Sequence, residues 1–193
     1  MDTVHMLLRE FGGMALPCLL SLPVILLCRY LTYRKTGVWD KKREALVILF
    51  FVYLVAILSR TVVPEALYHG RFADAFHLPW KEHSVVMTTP VIGWIQWMIT
   101  LRNTAELVRN IGGNILLFVP YGFLLPLAFN EKGKYTVLFG LLLTVFIETE
   151  QLFTERITDL NDIIMNVFGV LVGYLLFLIF YGIIRKRNKS IRR

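Results

Sequence analysis

Charged residues are scarce in this chain. Only 18% of its 193 residues are Asp, Glu, Lys or Arg, whereas 56% are hydrophobic. A soluble domain of this length cannot bury so much apolar surface in one core. The shortage of charge therefore excludes an ordinary soluble protein and predicts a helical protein with several membrane spans.

Long polar stretches are missing as well. A helix crosses a bilayer with on the order of 20 mostly apolar residues, and five segments meet this requirement: 14–33, 45–63, 111–129, 135–153 and 163–184. Little sequence remains for a soluble domain. We therefore predict an all-α fold, a single membrane domain over residues 1–193, built as one bundle of five transmembrane helices with an interfacial outer segment.

Cysteine is represented only by Cys18 and Cys28, both in the first segment. Their separation along one helix is roughly 15 Å, which is too far for a disulfide within that helix. The same segment lacks a clear small-x-small cleavage site, and its strongest charges follow it. We therefore expect a retained helix rather than a signal peptide.

The net charge of +7 is concentrated at two places, the loop at 34–43 and the last residues, 185–193. Basic residues beside membrane spans mark the cytoplasmic side and attract anionic lipid headgroups. With five spans, both clusters lie inside only if the N-terminus is outside and the C-terminus is cytoplasmic. This placement favours membrane lipids as partners and argues against nucleic acid.

The segment between the second and third spans is rich in Trp and Tyr, which favour the membrane interface. Residues 92–108 are predicted to form a helix lying on the outer surface. His69, His77 and His83 also fall here, but their spacing matches no compact ligand motif. We therefore expect solvated loop histidines, with no bound metal and no other cofactor.

Polar residues from several spans reach a similar depth on the outer side of the predicted bundle. Charged and amide side chains within membrane spans are functional candidates, because they are costly to keep there. The candidates for binding a ligand are Arg60, Asn114, Glu148, Gln151, Arg156, Asp159, Asp162 and Asn166.

Helical spacing orders these residues. Glu148 and Gln151 share a helix face, whereas Glu150 points roughly the other way. Asp159, Asp162 and Asn166 follow i, i+3, i+7, which is a single stripe if the fifth helix starts before Asp159. Gly169 and Gly173 continue that stripe, and small residues let another helix approach closely in lipid.

The third segment contains Pro120 and Pro126, with Gly122 between them. Each proline removes a backbone donor, and broken or kinked spans often line a cavity. We expect these two prolines and Gly122, together with Gly169 and Gly173, to set helix packing.

A purely structural interpretation remains open. Asp159, Asn161 or Asp162 would cap the fifth helix and complement its dipole. Glu148 would pair with Arg60 or Arg156 and hold helices together.

The combined motif resembles the VanZ-like family of small bacterial membrane proteins. It consists of NILLFVPYGFLLP at 114–126, Glu148-x-x-Gln151, Arg156, and Asp159-x-x-Asp162-x-x-x-Asn166-x-x-Gly169-x-x-x-Gly173-Tyr174. The resemblance implies a multi-pass protein of the bacterial cytoplasmic membrane. It also implies a role in the cell envelope and a link to low-level resistance to the glycopeptide teicoplanin.

Three functions fit these residues. The first is a non-enzymatic protein whose outer polar pocket binds a lipid-linked envelope precursor or a lipoglycopeptide headgroup. The second is a proton-coupled transporter or flippase that uses Glu148, although no ionisable residue lies in the inner half of spans three to five. The third is an envelope-lipid-modifying enzyme, which ranks last because the sequence contains no nucleophile–base pair and no HExxH motif. The oligomeric state is unknown.

The predicted topology is testable by cysteine labelling of intact cells. A cysteine introduced at Ser84 or Thr158 should react with a membrane-impermeant reagent added outside, whereas one at Lys134 or Ser190 should not. Reaction at Lys134 would contradict the topology, because that residue lies in a turn assigned to the cytoplasm.

Overall fold

The computed structural model of the chain describes residues 3–62, 86–87, 96, 99–100, 104–131, 133–151 and 158–191. Most of them belong to helices: α1 (Thr3–Thr36), α2 (Lys41–Thr61), α3 (Thr104–Phe129), α4 (Gly133–Gln151) and α5 (Leu160–Ile191). Two short strands, β1 (Val86–Met87) and β2 (Thr158–Asp159), form a two-stranded sheet. The predicted all-α class and its five helices are confirmed.

Four of these helices contain stretches long and apolar enough to cross a membrane, at Met14–Thr36, Lys41–Thr61, Ile111–Phe129 and Leu160–Lys186. The remaining helix, α4, carries Lys134, Glu148 and Glu150 within its length. Large apolar side chains stay exposed on the apolar helices, for example Leu20 at 68% and Ile179 at 60%. Apolar surface on this scale requires lipid around it, so the chain is a multi-pass membrane protein.

The third helix is longer than its predicted span. It begins at Thr104 and runs without interruption to Phe129, through Pro120 and Pro126. Residues 104–108 of the surface helix expected at 92–108 are therefore part of α3. Most of the outer segment lies outside the described residues, and so do its three histidines.

The chain divides into two compact units, described in turn: Met1–Val85 with Thr149–Thr158, and Val86–Glu148 with Asp159–Arg193. The single membrane domain expected over residues 1–193 stays a prediction.

In the first unit, α1 and α2 are joined by a tight connection. Gly37 has a positive φ of 69°, which favours glycine, and its N–H donates to the carbonyl of Tyr33 at 2.7 Å. Asp40 then caps α2, since its carboxylate accepts hydrogen bonds from the N–H groups of Lys42 and Arg43 at 3.0 and 3.4 Å. Contacts within the connection therefore determine both where α1 ends and where α2 begins.

An ion pair joins these two helices near the connection. Arg29 of α1 donates through Nε and Nη2 to the two carboxylate oxygens of Glu44 in α2, at 2.6 and 2.7 Å. Glu44 is 6% exposed, and two-point contact is the strongest arrangement for such a pair. The pair fixes the register between α1 and α2.

In the second unit, α3 and α5 run parallel. Asn114 of α3 hydrogen-bonds to Asp162 in the first turn of α5. Further along both helices, Phe123 packs edge-on against Phe177, with ring centroids 6.5 Å apart.

The neighbouring helix α4 runs antiparallel to α5. Thr144, near the end of α4, bonds to Asn166, near the start of α5. Gly133, at the start of α4, lies instead against the ring of Tyr174, about two turns further along α5. The end of α4 and the start of α5 therefore meet at one end of the unit.

Backbone contact between α3 and α5 occurs at three glycines, which we call the glycine crossing: Gly122, Gly169 and Gly173. A Cβ atom at Gly173 would overlap the carbonyl oxygen of Val119 and lie 2.9 Å from the amide nitrogen of Phe123. One at Gly169 would overlap the carbonyl oxygen of Ile115. Only glycine permits two helices to come this close.

A valine fills the space between all three helices of the second unit. Val170 of α5 is fully buried, and its backbone carbonyl lies where a Cβ at Gly122 would be. Its side chain faces Gly140 of α4, where an added Cβ would come within 2.7 Å of a methyl group. The missing side chains on α3 and α4 thus create the space that Val170 occupies.

Alanine substitution should separate the glycine crossing from an ordinary helical glycine. Gly173→Ala forces a methyl group into backbone atoms of α3, and we expect it to destabilise the protein by about 1–3 kcal/mol. Gly182→Ala, on the same helix, meets no atom within 4 Å, and it should leave stability unchanged or raise it by up to about 1 kcal/mol through helix propensity. Thermal unfolding of both variants in one detergent measures this. Equal midpoints would contradict the packing described.

Candidate functional site

One end of the second unit collects polar side chains from three helices. The start of α5, the end of α4 and the early part of α3 meet there, so residues far apart in sequence become neighbours. We call this set the polar cluster; its members are Asn114, Thr144, Glu148, Asp159, Asp162 and Asn166.

Asp162 is linked to α3 by a short hydrogen bond. The Asn114 side-chain amide donates through Nδ2 to Asp162 Oδ1 at 2.5 Å. This contact orients the Asn114 amide, because only its nitrogen can donate to a carboxylate. It also holds Asp162 in the first turn of α5, where the helix dipole favours negative charge.

Glu148 is linked to the start of α5 by a backbone contact. Its Oε2 accepts a hydrogen bond from the N–H of Asp159 at 3.1 Å, and the residue is only 4% exposed. Asp159 precedes α5 and caps it, since its Oδ1 accepts from the N–H of Asn161 at 2.9 Å. The capping role considered for Asp159 is therefore present, and it involves one of its two carboxylate oxygens.

Asn166 lies one helical turn beyond Asp162. Its Nδ2 donates to Thr144 Oγ1 at 2.8 Å, and the residue is 4% exposed. Its carbonyl oxygen, Oδ1, is buried and has no hydrogen-bond partner within the described part of the chain. A buried polar atom left in this state costs about 1–3 kcal/mol, so this oxygen marks a position suited to a donor from outside the cluster.

Three predicted site residues are not members of the polar cluster as defined above. Gln151 is buried at the end of α4, on the face it shares with Glu148. Arg60 is in the last turn of α2, in the first unit. Arg156 lies outside the described residues. The predicted residues that the structure brings together are Asn114, Glu148, Asp159, Asp162 and Asn166.

The remaining predicted positions concern packing. Gly122, Gly169 and Gly173 form the glycine crossing. Pro126 is fully buried and Pro120 partly exposed, both within continuous α3.

Sequence reasoning missed Thr144. It is fully buried and pairs with Asn166. The signal was available, because Thr144 precedes Glu148 by four residues and therefore shares its helix face. A threonine in an apolar span draws little attention, since its hydroxyl usually bonds to its own helix.

The described residues contain no group of three or more His, Cys, Asp or Glu side chains arranged to hold a metal ion. The acidic residues of the polar cluster instead accept hydrogen bonds from N–H groups: Asp162 from Asn114, Glu148 from the Asp159 backbone, and Asp159 from the Asn161 backbone.

These helices and this cluster define a polytopic helical membrane protein with a polar site at one end of three packed helices. The chain belongs to the VanZ/LLP1 family, whose family model matches residues 45–181. The match includes most of α2, the glycine crossing and the whole polar cluster, and the resemblance seen in the sequence is thereby confirmed. No curated protein and no solved structure matches the chain.

A double-mutant cycle tests whether the bond between Asn114 and Asp162 stabilises the fold. Asn114→Leu and Asp162→Leu each leave one polar partner without the other, and each should lower the free energy of unfolding by about 1–3 kcal/mol. The double variant removes both partners and should cost less than the sum of the two.

Glu150→Gln serves as a control for charge removal near the end of α4, and it should change stability by no more than about 0.5 kcal/mol. Strict additivity of the two leucine substitutions would show that the bond contributes nothing.

Proposed function

We propose that this VanZ/LLP1-family protein binds a lipid-linked or lipoglycopeptide headgroup at its polar cluster, without converting it chemically. We further propose that the cluster lies in the outer leaflet of the bacterial cytoplasmic membrane and that binding contributes to teicoplanin-type glycopeptide resistance. The observation that carries the proposal is the buried, unpartnered Oδ1 of Asn166 beside two aspartates and a glutamate.

A purely structural cluster would satisfy its own polar atoms. Buried polar groups are almost always hydrogen-bonded, and an exception calls for an explanation. The bonds of Asn114 and Thr144 account for the amide nitrogen of Asn166 and one oxygen of Asp162, but not for Asn166 Oδ1. A ligand that reaches this oxygen explains why an amide is kept at a position where an apolar residue would cost less.

The depth of the cluster supports a ligand at the outer surface. The basic residues at 34–43 and 185–193 favour a cytoplasmic C-terminus. Because α5 starts at the cluster and ends in the basic tail, the cluster then lies on the outer side. Teicoplanin carries an acyl tail and acts at that surface, which suits the link implied by the family.

Binding is favoured over proton-coupled transport. Below Glu148, residues 135–147 of α4 contain no carboxylate, lysine or histidine. Side chains that pass a proton inward are therefore missing from this helix. Binding is favoured over catalysis because the acidic groups of the cluster accept hydrogen bonds from N–H donors.

Purified protein in liposomes should bind teicoplanin, and binding should weaken in Glu148→Gln, Asp162→Asn and Asn166→Ala. Each change removes a charge or an acceptor from the cluster, so we expect a loss of about tenfold or more in affinity. High salt should weaken binding further if exposed charges contribute. Titration with labelled teicoplanin measures the affinity, and a pH-sensitive dye inside the liposomes measures proton flux, which should be absent.

Glu150→Gln is the matched control, because it removes a carboxylate two residues from Glu148 on another face of α4. It should bind like the unmodified protein. A proton current that disappears in Glu148→Gln would overturn the binding proposal in favour of transport. A new product detected by mass spectrometry would favour an enzyme.

A further inference from the structure

We infer that the group recognised by the polar cluster is a primary ammonium on an envelope headgroup. The inference rests on the proposed function and adds the chemistry of the ligand. It follows from which hydrogen-bonding atoms of the cluster are already engaged and which are left.

The donors of the cluster point inward to other members. Asn114 Nδ2 donates to Asp162, and Asn166 Nδ2 donates to Thr144. The backbone N–H groups of Asp159 and Asn161 donate to Glu148 and to Asp159. Among the described residues of the cluster, an incoming group that needs donors, such as a phosphate or a carboxylate, would meet few that are not already engaged.

Acceptors remain at the start of α5. Asp159 and Asp162 each use one carboxylate oxygen in the bonds above, and for the second oxygens the described residues provide no partner. Asn166 Oδ1, buried and unpartnered, is the third acceptor. Asp162 and Asn166 are spaced i, i+4 and are neighbours on the surface of α5, whereas Asp159 lies just before the helix.

This arrangement selects the charge and the hydrogen-bonding type of the ligand. Asp159 just before α5, Asp162 in its first turn and Glu148 on the facing helix bring three acidic side chains together, and a cation is attracted to such groups more strongly in a low-dielectric environment. An ammonium group carries three donors and no acceptor. It therefore matches a site that offers negative charge and acceptors.

A metal ion fits these atoms less well. Calcium takes six to eight oxygen ligands, and magnesium requires near-octahedral geometry. Here one oxygen of each aspartate is committed to an N–H donor, and the described residues hold no three-carboxylate or histidine group able to bind a metal.

The buried position of Asn166 requires that the ligand's ammonium group reach into the helix bundle. It lies one turn further along α5 than Asp162, a rise of about 6 Å, and is almost fully buried. An ammonium held between Asp162 and Asn166 has left bulk water, with Asp159 adding negative charge towards the start of the helix. Compared with –NH3+, an N-acetylated amine is bulkier and loses both the charge and two of the three donors.

The test uses two lipid probes that differ only at the amine: a short-chain phosphatidylethanolamine and its N-acetyl derivative. Native mass spectrometry of the full-length protein, purified in detergent, measures how much of each lipid is retained across a titration. We expect the amine form to bind at least about tenfold more tightly. Soluble phosphoethanolamine, added as a competitor, distinguishes a free headgroup from one that needs its acyl chains.

Substitutions then assign the contact. Asn166→Leu and Asp162→Asn should each abolish most of the preference for the amine. Asn166→Asp should keep it, because a carboxylate retains an acceptor at that position and Thr144 can donate its hydroxyl hydrogen. Glu131→Gln removes a carboxylate from the turn at the opposite end of α4 and should leave the preference unchanged.

Equal retention of the two lipids overturns the ammonium inference. If that retention is lost in Asp162→Asn, the site still binds headgroups and the proposed function stands. If neither lipid is retained, the inference fails, and teicoplanin binding decides separately about the proposed function. Competition with magnesium or calcium gives a further test. If either ion displaces the amine lipid equally well from Asn166→Leu and from the unmodified protein, the ammonium inference is also overturned, since the site would then be a metal site that does not use Asn166.

Discussion

The distance between α3 and α5 is the constraint on which the second unit depends. Gly122, Gly169 and Gly173 bring the two backbones into contact, and the contact at Ile115 lies directly beside Asn114 in the chain. Association of helices in lipid relies on packing and interhelical hydrogen bonds, because lipid tails are as apolar as leucine. The short bond between Asn114 and Asp162 is therefore a consequence of the glycine crossing: a wider separation would leave the amide and the carboxylate apart.

The absence of side chains at glycines also determines the position of α4. Val170 fits between Gly122 and Gly140, and this contact brings the α4 face that carries Thr144 and Glu148 against the start of α5. Polar groups cost much in lipid unless they meet one another. Close packing in the middle of the unit therefore supports the polar contacts at its end, because it brings the polar side chains within hydrogen-bonding distance.

The features of each single helix were largely predictable from the sequence, whereas the contacts between helices were not. Hydropathy located the five helices, and helical spacing placed Asp162, Asn166, Gly169 and Gly173 on one stripe. Hydropathy and helical spacing do not reveal which residues of another helix a stripe contacts, so the pairing of Asn166 with Thr144 was not predicted. The early start of α3 at Thr104 was also missed, because its first turns are too polar to be counted in an apolar window.

Structural and ligand-binding roles are compatible in this cluster because carboxylates and amides have more than one hydrogen-bonding atom. Asp159 caps α5 with one oxygen, Asp162 holds α3 with one oxygen, and Asn166 holds α4 with its nitrogen. The bonds that assemble the helices also fix the orientation of the remaining acceptors before any ligand arrives. Such preorganisation lowers the entropic cost of binding. Removal of any of these side chains should consequently affect both stability and affinity, whereas Asn166→Asp keeps an acceptor for the ligand and a partner for the Thr144 hydroxyl.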